Sequence, residues 1–544
     1  MRTLRAYARA VLPAVAATLL VLILPQPARA ATLDLPTALA RLPGADFAAK
    51  ADLIEQLAAS RPPGARALLA ALLDARVAVR GSDRKVFIVD DDPAGYALTD
   101  PLTGRPAGTA SSDDFDKVTI NNHLRTVLRT VLAQFDLGSS DAAVRLAAVQ
   151  QLLRAIDDPT AQLLRQRLAV EHDAAVKRLI REGLAMADLD DSVPPQRRLA
   201  AIRELSGSLN PDVYNRLTAL TDPAADADPA VRAAAAAALR RIDGWKSFYG
   251  GLETLFFGFS LGSVLVLCAI GLAITFGVMG VINMAHGELM MLGAYTTYVM
   301  QLLLPGRPGL SVVLALPAAF LVSGLVGVLI ERGIVRFLYG RPLETLLATF
   351  GVSLILQQLV RDLFSANNRP VESPAWMSGL WQINGALAIT WNRVVIVLFT
   401  LAVFAALQLV LRRTRLGLEV RAVAQNRAMA RAMGVRSEWV DALTFGLGSG
   451  IAGLAGVALS QLTNVGPNLG QSYIVDSFMV VVFGGVGNLW GTLIGGMALG
   501  IVNKILEPYA GAVLGKIFVL VALILFIQRR PRGLFPQKGR AAEA

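Results

Sequence analysis

The second half of the chain is a series of long stretches without a charged residue, and this feature limits the possible folds more than any other. A stretch of about 20 apolar residues is long enough to cross a bilayer as a helix, which satisfies its own backbone hydrogen bonds. The stretches therefore predict about nine helical membrane segments in residues 246–535, some shorter than a full crossing. They occupy 254–285, 289–306, 308–330, 345–360, 394–411, 442–475, 477–503 and 517–528.

Basic residues are concentrated in three of the connecting loops. Of the 22 Lys and Arg residues after position 245, 15 lie in 331–344, 412–436 and 529–540. Basic loops are retained on the cytoplasmic side of a membrane, so these loops and the carboxyl terminus are predicted to be cytoplasmic. The net charge of +11 is then explained by orientation in membrane lipid, and nucleic acid is not a predicted partner.

The first thirty residues have the layout of a secretory signal peptide. Three arginines before position 10 precede an apolar stretch, 11–24, and the small-residue triplet 28–30. The alternative is an uncleaved anchor, although the apolar stretch is shorter than the roughly 20 residues of a comfortable span. In both interpretations the chain from Ala31 onward is exported.

Residues 31–245 predict an exported helical domain, because apolar positions recur at spacings of three and four residues. The segment 145–152 recurs as 198–205, an offset of 53 residues. A repeat of this length resembles HEAT-type solenoids, whose units bury an apolar face only by stacking, and an ordinary Ala-rich bundle is the alternative. A small strand pair is predicted near 85–120. The predicted fold class is all-α, with a HEAT-like exported domain followed by a polytopic helical membrane domain.

Several chemistries are excluded by residue type. The one cysteine, Cys268, lies inside an apolar stretch, which excludes an intrachain disulfide and a thiol-based metal cluster. There are three histidines and neither an HExxH nor a GxxxxGK[ST] motif. The chain is therefore not predicted to be an enzyme or to hold a metal or cofactor, and any ATP must bind to another chain.

Two motifs carry a family resemblance. Residues 277–295, GVMGVINMAHGELMMLGAY, resemble the early signature of the permease subunits of branched-chain amino acid and urea ABC importers. Residues 417–434, GLEVRAVAQNRAMARAMG, resemble the cytoplasmic coupling loop of that family, which would occupy 412–436 here. The form VINMAHGE, the segment 377–382 (MSGLWQ) and the long exported domain are most similar to urea permeases of the UrtB type.

The resemblance implies a permease subunit of an ATP-driven importer in the bacterial cytoplasmic (inner) membrane. Its implied partners are two ATPase subunits that hold ATP–Mg, a second permease subunit and a periplasmic substrate-binding protein. By its position, the exported domain is predicted to help dock the binding protein or a second permease chain. Small residues on a short amphipathic helix flanked by arginines suit a groove of a partner, whereas the alternative is a solvated basic loop. The implied ATPase-coupling residues are Gly417, Glu419, Arg421, Ala424, Asn426, Ala430 and Gly434.

Polar residues in and beside the apolar stretches are candidates for the solute pathway. An ionisable side chain there is costly unless it pairs, so His286 and Glu288 are predicted to form a local pair or a polar lining. A helix-end role for His286 is the alternative, and single hydroxyls and amides also bond to neighbouring helix backbone. The candidates are Asn283, His286, Glu288, Thr349, Ser353, Gln357 and Asn464.

The leading substrate hypothesis is urea, taken up as a nitrogen source. Urea is small and neutral, with four NH donors and one carbonyl acceptor, and uncharged spans with amides and hydroxyls suit it. Branched-chain or other amino acids are the alternative within the same family, since a zwitterion also passes without a countercharge. A stand-alone urea channel would not need the coupling loop, and a transmembrane sensor is the hypothesis from another class.

Overall fold

The computed structural model describes residues 33–535, except 93–94, 155, 157 and 223–227. The predicted signal peptide and the end of the last basic loop lie outside the described residues. The chain divides into two compact units, and the boundary lies between Ile242 and Asp243.

The first unit begins with three short helices and a five-stranded antiparallel sheet. The helices are α1 (Leu35–Arg41), α2 (Phe47–Ser60) and α3 (Ala65–Leu73), and the strands are β1 (Val77–Arg80), β2 (Val86–Asp92), β3 (Gly95–Thr99), β4 (Pro106–Ala110) and β5 (Phe115–Lys117). The strand order is β4-β3-β2-β1-β5. Val86 and Ile88 pack against the helices, whereas Phe87 and Val89 pack with Phe115 on the other face, because successive side chains of a strand point to opposite sides.

The sheet is larger than the predicted strand pair. That pair corresponds to β2 and β3, which place Asp91 opposite Tyr96. The chain is mostly helical, but the all-α class is wrong for this segment. Strand β4, with the sequence PAGTA, is exposed and has no apolar alternation, so its pattern does not predict a strand.

Helices form the rest of the first unit. They are α4 (Asn122–Asp136), α5 (Ala142–Leu152), α6 (Asp158–Val170), α7 (Ala174–Ala187), α8 (Pro195–Leu205), α9 (Pro211–Ala219) and the first turns of α10 (Pro229–Met279). Side-chain oxygens of Asp141, Asp173 and Asn210 accept backbone NH groups at the starts of α5, α7 and α9. Such N-caps satisfy donors that have no partner within the helix.

The sequence repeat has a structural counterpart in α5 and α8. Each copy buries its leading arginine and the same apolar positions, so that Val149 and Leu152 correspond to Ile202 and Leu205. Equivalent burial is what stacking repeats require. The HEAT-type assignment itself is not confirmed and stays a prediction.

A buried ion pair connects α5 to the end of α6. The Arg145 guanidinium donates to both carboxylate oxygens of Glu171 at 2.8 Å. This hydrogen bonding holds the pKa of Glu171 far below its usual value, against the opposing effect of burial, and the backbone NH groups of Asp173 and His172 lower it further. The carboxylate therefore stays charged at neutral pH.

The second unit contains the end of α10, nine further helices and a β-hairpin among the described residues. These are α11 (His286–Leu303), α12 (Pro308–Gly333), α13 (Pro342–Phe364), β6 (Leu380–Asn384), β7 (Leu387–Thr390), α14 (Trp391–Arg413), α15 (Arg415–Gln425), α16 (Arg427–Ala432), α17 (Ser437–Ser460), α18 (Leu469–Gly484) and α19 (Leu489–Arg529). Of the described helices, six are long and apolar enough to cross a membrane: α10, α12, α13, α14, α17 and α19. The predicted count of about nine segments is therefore not confirmed.

Small residues allow helix α17 to approach its neighbours closely. A Cβ atom on Gly456 would collide with the Met290 carbonyl oxygen of α11, and one on Gly293 would collide with Gly453. Such contacts suit glycine because backbones can then touch directly. A short non-helical segment separates α18 from α19, and Gly485 and Gly487 there have φ values of 105° and 79°.

Candidate functional site

A break in the helical path lies inside the signature motif. Helix α10 ends at Met279 and α11 begins at His286, and Gly280 between them has a φ of 67°, in the left-handed region that favours glycine. Within the break, Oδ1 of the buried Asn283 accepts a hydrogen bond from the Ala285 NH at 3.0 Å. Interrupted helices of this kind expose backbone and polar groups to a pathway in membrane transporters.

The Glu288 carboxylate lies in the first turn of α11 and binds two side chains of α13. Its Oε1 accepts hydrogen bonds from Ser353 Oγ at 3.0 Å and from Gln357 Nε2 at 2.7 Å. Ser353 and Gln357 are one helical turn apart, so they present their polar groups on the same face of α13. The structure thus brings together three of the predicted pathway residues. All three are buried, and Glu288 is only 1 % exposed.

Several buried polar atoms of the break and of α11 have no hydrogen-bond partner. Among the described residues, they include Oε2 of Glu288, Nδ2 of Asn283 and the hydroxyl of Tyr295, all buried. Tyr295 was missed by the sequence analysis, although it lies seven residues after Glu288 on the same face of α11. An unsatisfied buried polar group costs about 1–3 kcal/mol, so such a group is a binding opportunity for a polar solute.

His286 does not pair with Glu288. Its Nε2 donates to the Cys268 carbonyl oxygen of α10 at 2.9 Å. The imidazole thereby joins the start of α11 to α10, and this contact corresponds to the helix-end alternative. Its Nδ1 is buried and has no partner among the described residues.

Thr349 holds the backbone of the break. Its hydroxyl accepts a hydrogen bond from the Met284 NH at 3.1 Å and donates to the Thr345 carbonyl within α13 at 2.8 Å. The predicted residue is therefore next to the Glu288 cluster, but it contacts backbone and its hydrogen-bonding groups are occupied.

Asn464 does not join the other candidates. It follows the end of α17, whose first residue comes directly after the predicted coupling loop, so it lies at the opposite end of that helix. There it lines a cavity of about 440 Å³, together with Asp476 and Lys516. Lys516 Nζ lies 2.9 Å from Oδ2 of Asp476.

The predicted coupling loop forms two short helices, α15 and α16. Thr414 caps α15 by accepting from the Gly417 NH, and Asn426 caps α16 by accepting from the Met429 NH. A cap at each start explains why the chain forms two short helices with a bend at Asn426 rather than one continuous helix.

Helix α16 is fixed to the span α17 by a bidentate ion pair. The Arg427 guanidinium donates to both oxygens of Asp441, at 2.5 Å and 2.9 Å, and lies 4.1 Å from the centre of the Tyr339 ring. Burial is the largest single effect on Arg427 and opposes its charged form, but the hydrogen bonds and electrostatic attraction of Asp441 and Tyr339 together outweigh burial and raise the pKa. A fork-shaped contact of this kind fixes orientation as well as distance.

Several predicted coupling residues face the permease rather than solvent. Gly417 and Ala430 are buried, and Ala424 lines a cavity of about 330 Å³ beside Arg421. Glu419 accepts a hydrogen bond from Arg415 at 2.9 Å. These residues thus position the two helices.

Apolar side chains that the sequence analysis did not select are exposed on α15 and α16. Leu418, Met429 and Met433 are 62 %, 60 % and 79 % exposed. Gly434 follows them with a φ of 87°, a conformation that ends α16 sharply. Exposed apolar groups next to basic residues are typical of a protein-binding surface. Among the described residues, no group of three or more His, Cys, Asp and Glu side chains is placed to hold a metal ion.

Comparison with known proteins gives the family. Residues 254–527 match the family model described as "Branched-chain amino acid transport system / permease component". The chain is 32 % identical over 293 residues to the high-affinity branched-chain amino acid transport system permease protein LivH of Escherichia coli, which covers 52 % of this chain and 94 % of that protein. It is 32 % identical over 297 residues to the corresponding permease protein BraD of Pseudomonas aeruginosa, covering 53 % and 96 %.

A more distant relative is the ribose import permease protein RbsC of Escherichia coli, 25 % identical over 289 residues that cover 48 % of this chain and 82 % of that protein. No solved structure matches the chain. The matched residues contain the broken helix, the Glu288 cluster and both coupling helices. This chain therefore belongs to the family of permease components of branched-chain amino acid transport systems.

Proposed function

We propose that the chain is the permease subunit of an ATP-driven ABC importer and that its solute passes beside the break between α10 and α11. The observation that carries this proposal is the Glu288 carboxylate. One of its oxygens is held by Ser353 and Gln357, and the other is buried without a partner among the described residues. A fixed, buried acceptor is suited to bind NH groups of a solute, because little reorganisation is needed.

The proposed solute is an amino acid with an aliphatic side chain. Two relatives, LivH and BraD, are named as branched-chain amino acid permeases, and each matches this chain over nearly its own whole length. The ammonium group of an amino acid carries three NH donors, and the free oxygen of Glu288 supplies an acceptor for one of them.

Urea is a second candidate, which one observation favours. In the second unit, the buried polar side chains among the described residues are carboxylates, amides, hydroxyls and one histidine, with no Lys or Arg. A solute that carries its own carboxylate finds no buried cation there. A neutral solute with four NH donors matches such an acceptor-rich lining.

The coupling helices are proposed to dock ATPase subunits, which hold ATP–Mg and hydrolyse it. Leu418, Met429 and Met433 supply apolar contacts there, and the surrounding arginines supply charge complementarity. In this proposal no covalent chemistry occurs in the permease. The other proposed partners are a substrate-binding protein and a second permease chain. The proposed location of both permease chains is the bacterial inner membrane.

Uptake by cells with and without this gene tests the proposal. Labelled leucine and labelled urea are supplied separately at micromolar concentration, with ATP-depleted cells as the control. Loss of ATP-dependent leucine uptake on deletion supports the amino-acid proposal, whereas loss of ATP-dependent urea uptake alone transfers the assignment to urea. Uptake that survives ATP depletion contradicts an ATP-driven importer.

A further inference from the structure

We infer that the cavity lined by Asn464, Asp476 and Lys516 is a reception site for a zwitterionic amino acid with an aliphatic side chain. This inference rests on the proposed function, because it takes the solute to be an amino acid. The cavity lies at the end of α17 opposite the coupling helices. The predicted orientation places this end on the exported side, from which the proposed solute enters. Its volume of about 440 Å³ falls within the range of small-molecule sites.

The carboxylates of Asp476 and Glu507 and the ammonium of Lys516 line the cavity, and Glu507 is paired with Lys504 at 2.6 Å. The Asp476 side chain on α18 is 7 % exposed and the Lys516 side chain on α19 is 53 % exposed, with 2.9 Å between carboxylate and ammonium. Burial holds the carboxylate in place, whereas the lysine ammonium is carried on a flexible four-carbon stem. A ligand ammonium can therefore replace Lys516 at Asp476, and Lys516 then binds the ligand carboxylate. One ion pair becomes two, and the net charge of the cavity is unchanged.

A further acceptor lines the cavity. Asn503 of α19 lines the cavity, and its Oδ1 is buried without a hydrogen-bond partner among the described residues. An ammonium group has three NH donors, so it can bond to Asp476 and to Asn503 together. The unsatisfied oxygen gains a partner only when a donor enters the cavity.

An apolar wall completes the site. Leu261 and Leu265, one turn apart on α10, line the cavity with Leu469 of α18. Aliphatic side chains are attracted to such a wall because their contact with water is removed. Urea has no apolar group that would use it. The juxtaposed ion pair and leucine wall therefore specify an amphipathic zwitterion.

Ligand protection of an engineered thiol tests the site directly. Asn464 is exposed and lines the cavity, so Asn464→Cys in the full chain, reconstituted in lipid nanodiscs, can be labelled by a polar maleimide. The natural Cys268 is fully buried and gives the background rate. Leucine at roughly twice its dissociation constant is expected to slow labelling about threefold, by mass action. Leucinamide lacks the carboxylate and 4-methylpentanoate lacks the ammonium, so both are expected to protect less.

Variants of the two charged residues identify the contacts. In Lys516→Gln, leucine is expected to protect the thiol no better than leucinamide does. In Asp476→Asn, leucine is expected to protect it no better than 4-methylpentanoate does. Lys516→Arg keeps a cation and should retain the wild-type order, which separates loss of the contact from loss of folding. The matched control is Arg341→Gln, since Arg341 is exposed, pairs with Glu344 at 3.1 Å and does not line the cavity.

Each result decides the question. The inference is overturned if leucine does not protect, if leucinamide protects as well as leucine, if Lys516→Gln retains the wild-type order, or if urea protects at the same concentration. Leucine uptake by cells is measured separately. If ATP-dependent leucine uptake is normal but leucine does not slow labelling of the thiol, the reception site is refuted and the proposed function stands. If leucine uptake is absent, the proposed substrate is refuted.

Discussion

At the scale of single residues, Glu288 is the group on which the proposed pathway depends. Replacing it by glutamine keeps one carbonyl oxygen for Ser353 and Gln357 but turns the free acceptor into an NH₂ donor. A hydrogen bond to a charged group contributes about 1.5–3 kcal/mol, so we expect the rate of ATP-dependent uptake to fall roughly tenfold to a hundredfold. Glu344→Gln is the matched control, because Glu344 is exposed at the start of α13 and pairs with Arg341. Normal uptake by Glu288→Gln would show that the carboxylate has only a structural role and does not bind the solute.

A second residue-scale prediction concerns Glu171 in the first unit. Glu171→Gln leaves Arg145 buried opposite a neutral group, and breaking a buried pair costs about 3 kcal/mol at neutral pH. The measurement is hydrogen exchange of the α7 amides in the full chain.

The pH dependence of this effect has a definite sign. The folded pKa of Glu171 lies far below its unfolded value of about 4.3, because Arg145 donates to the carboxylate. The stabilisation is therefore complete above that unfolded pKa and is lost progressively as the pH falls towards the folded one. The difference between wild type and Glu171→Gln should shrink below about pH 4. A constant difference from pH 7 to pH 3 would show that the ion pair is not its cause.

At the scale of elements, the exposed face of α15 and α16 is expected to hold the ATPase subunits. Met429→Asp with Met433→Asp places two carboxylates where apolar contact is proposed, and we expect at least tenfold weaker co-purification of the ATPase with normal membrane insertion. Met429→Leu with Met433→Leu retains apolar contact and should behave as wild type. Undiminished association of the aspartate variant would locate the ATPase surface elsewhere.

Helix positions in the second unit follow from the sequence more closely than the contacts do. The uncharged stretches 308–330 and 345–360 correspond to α12 and α13, because long apolar runs must be helical in lipid. The meeting of Glu288 with Gln357, 69 positions later, has no local signal, since it depends on how α11 packs against α13. The burial of Ala430 could not be predicted either. Helical spacing predicts which face of α16 carries this residue, but its burial depends on how α16 packs against α17.

At the scale of the whole molecule, the described residues comprise two compact units with different tasks in the proposed importer. The second unit matches known permeases over residues 254–527, and the first unit lies outside that match. Since the proposed pathway and coupling surface both lie in the second unit, the first unit is free to serve recognition. The distribution of basic residues predicts that it is exported.

Deletion of residues 35–240, with the signal segment and the spans retained, tests that role. In the proposed importer the first unit is exported and binds the substrate-binding protein, so we expect the affinity of the purified transporter for that protein to fall at least tenfold, about 1.4 kcal/mol. Co-purification of the ATPase is the control, because the coupling helices are untouched. Glu171→Gln, which destabilises the same unit, should give a smaller loss in the same direction. Unchanged affinity together with unchanged uptake would exclude a docking role, because the binding protein would then be received by the second unit alone.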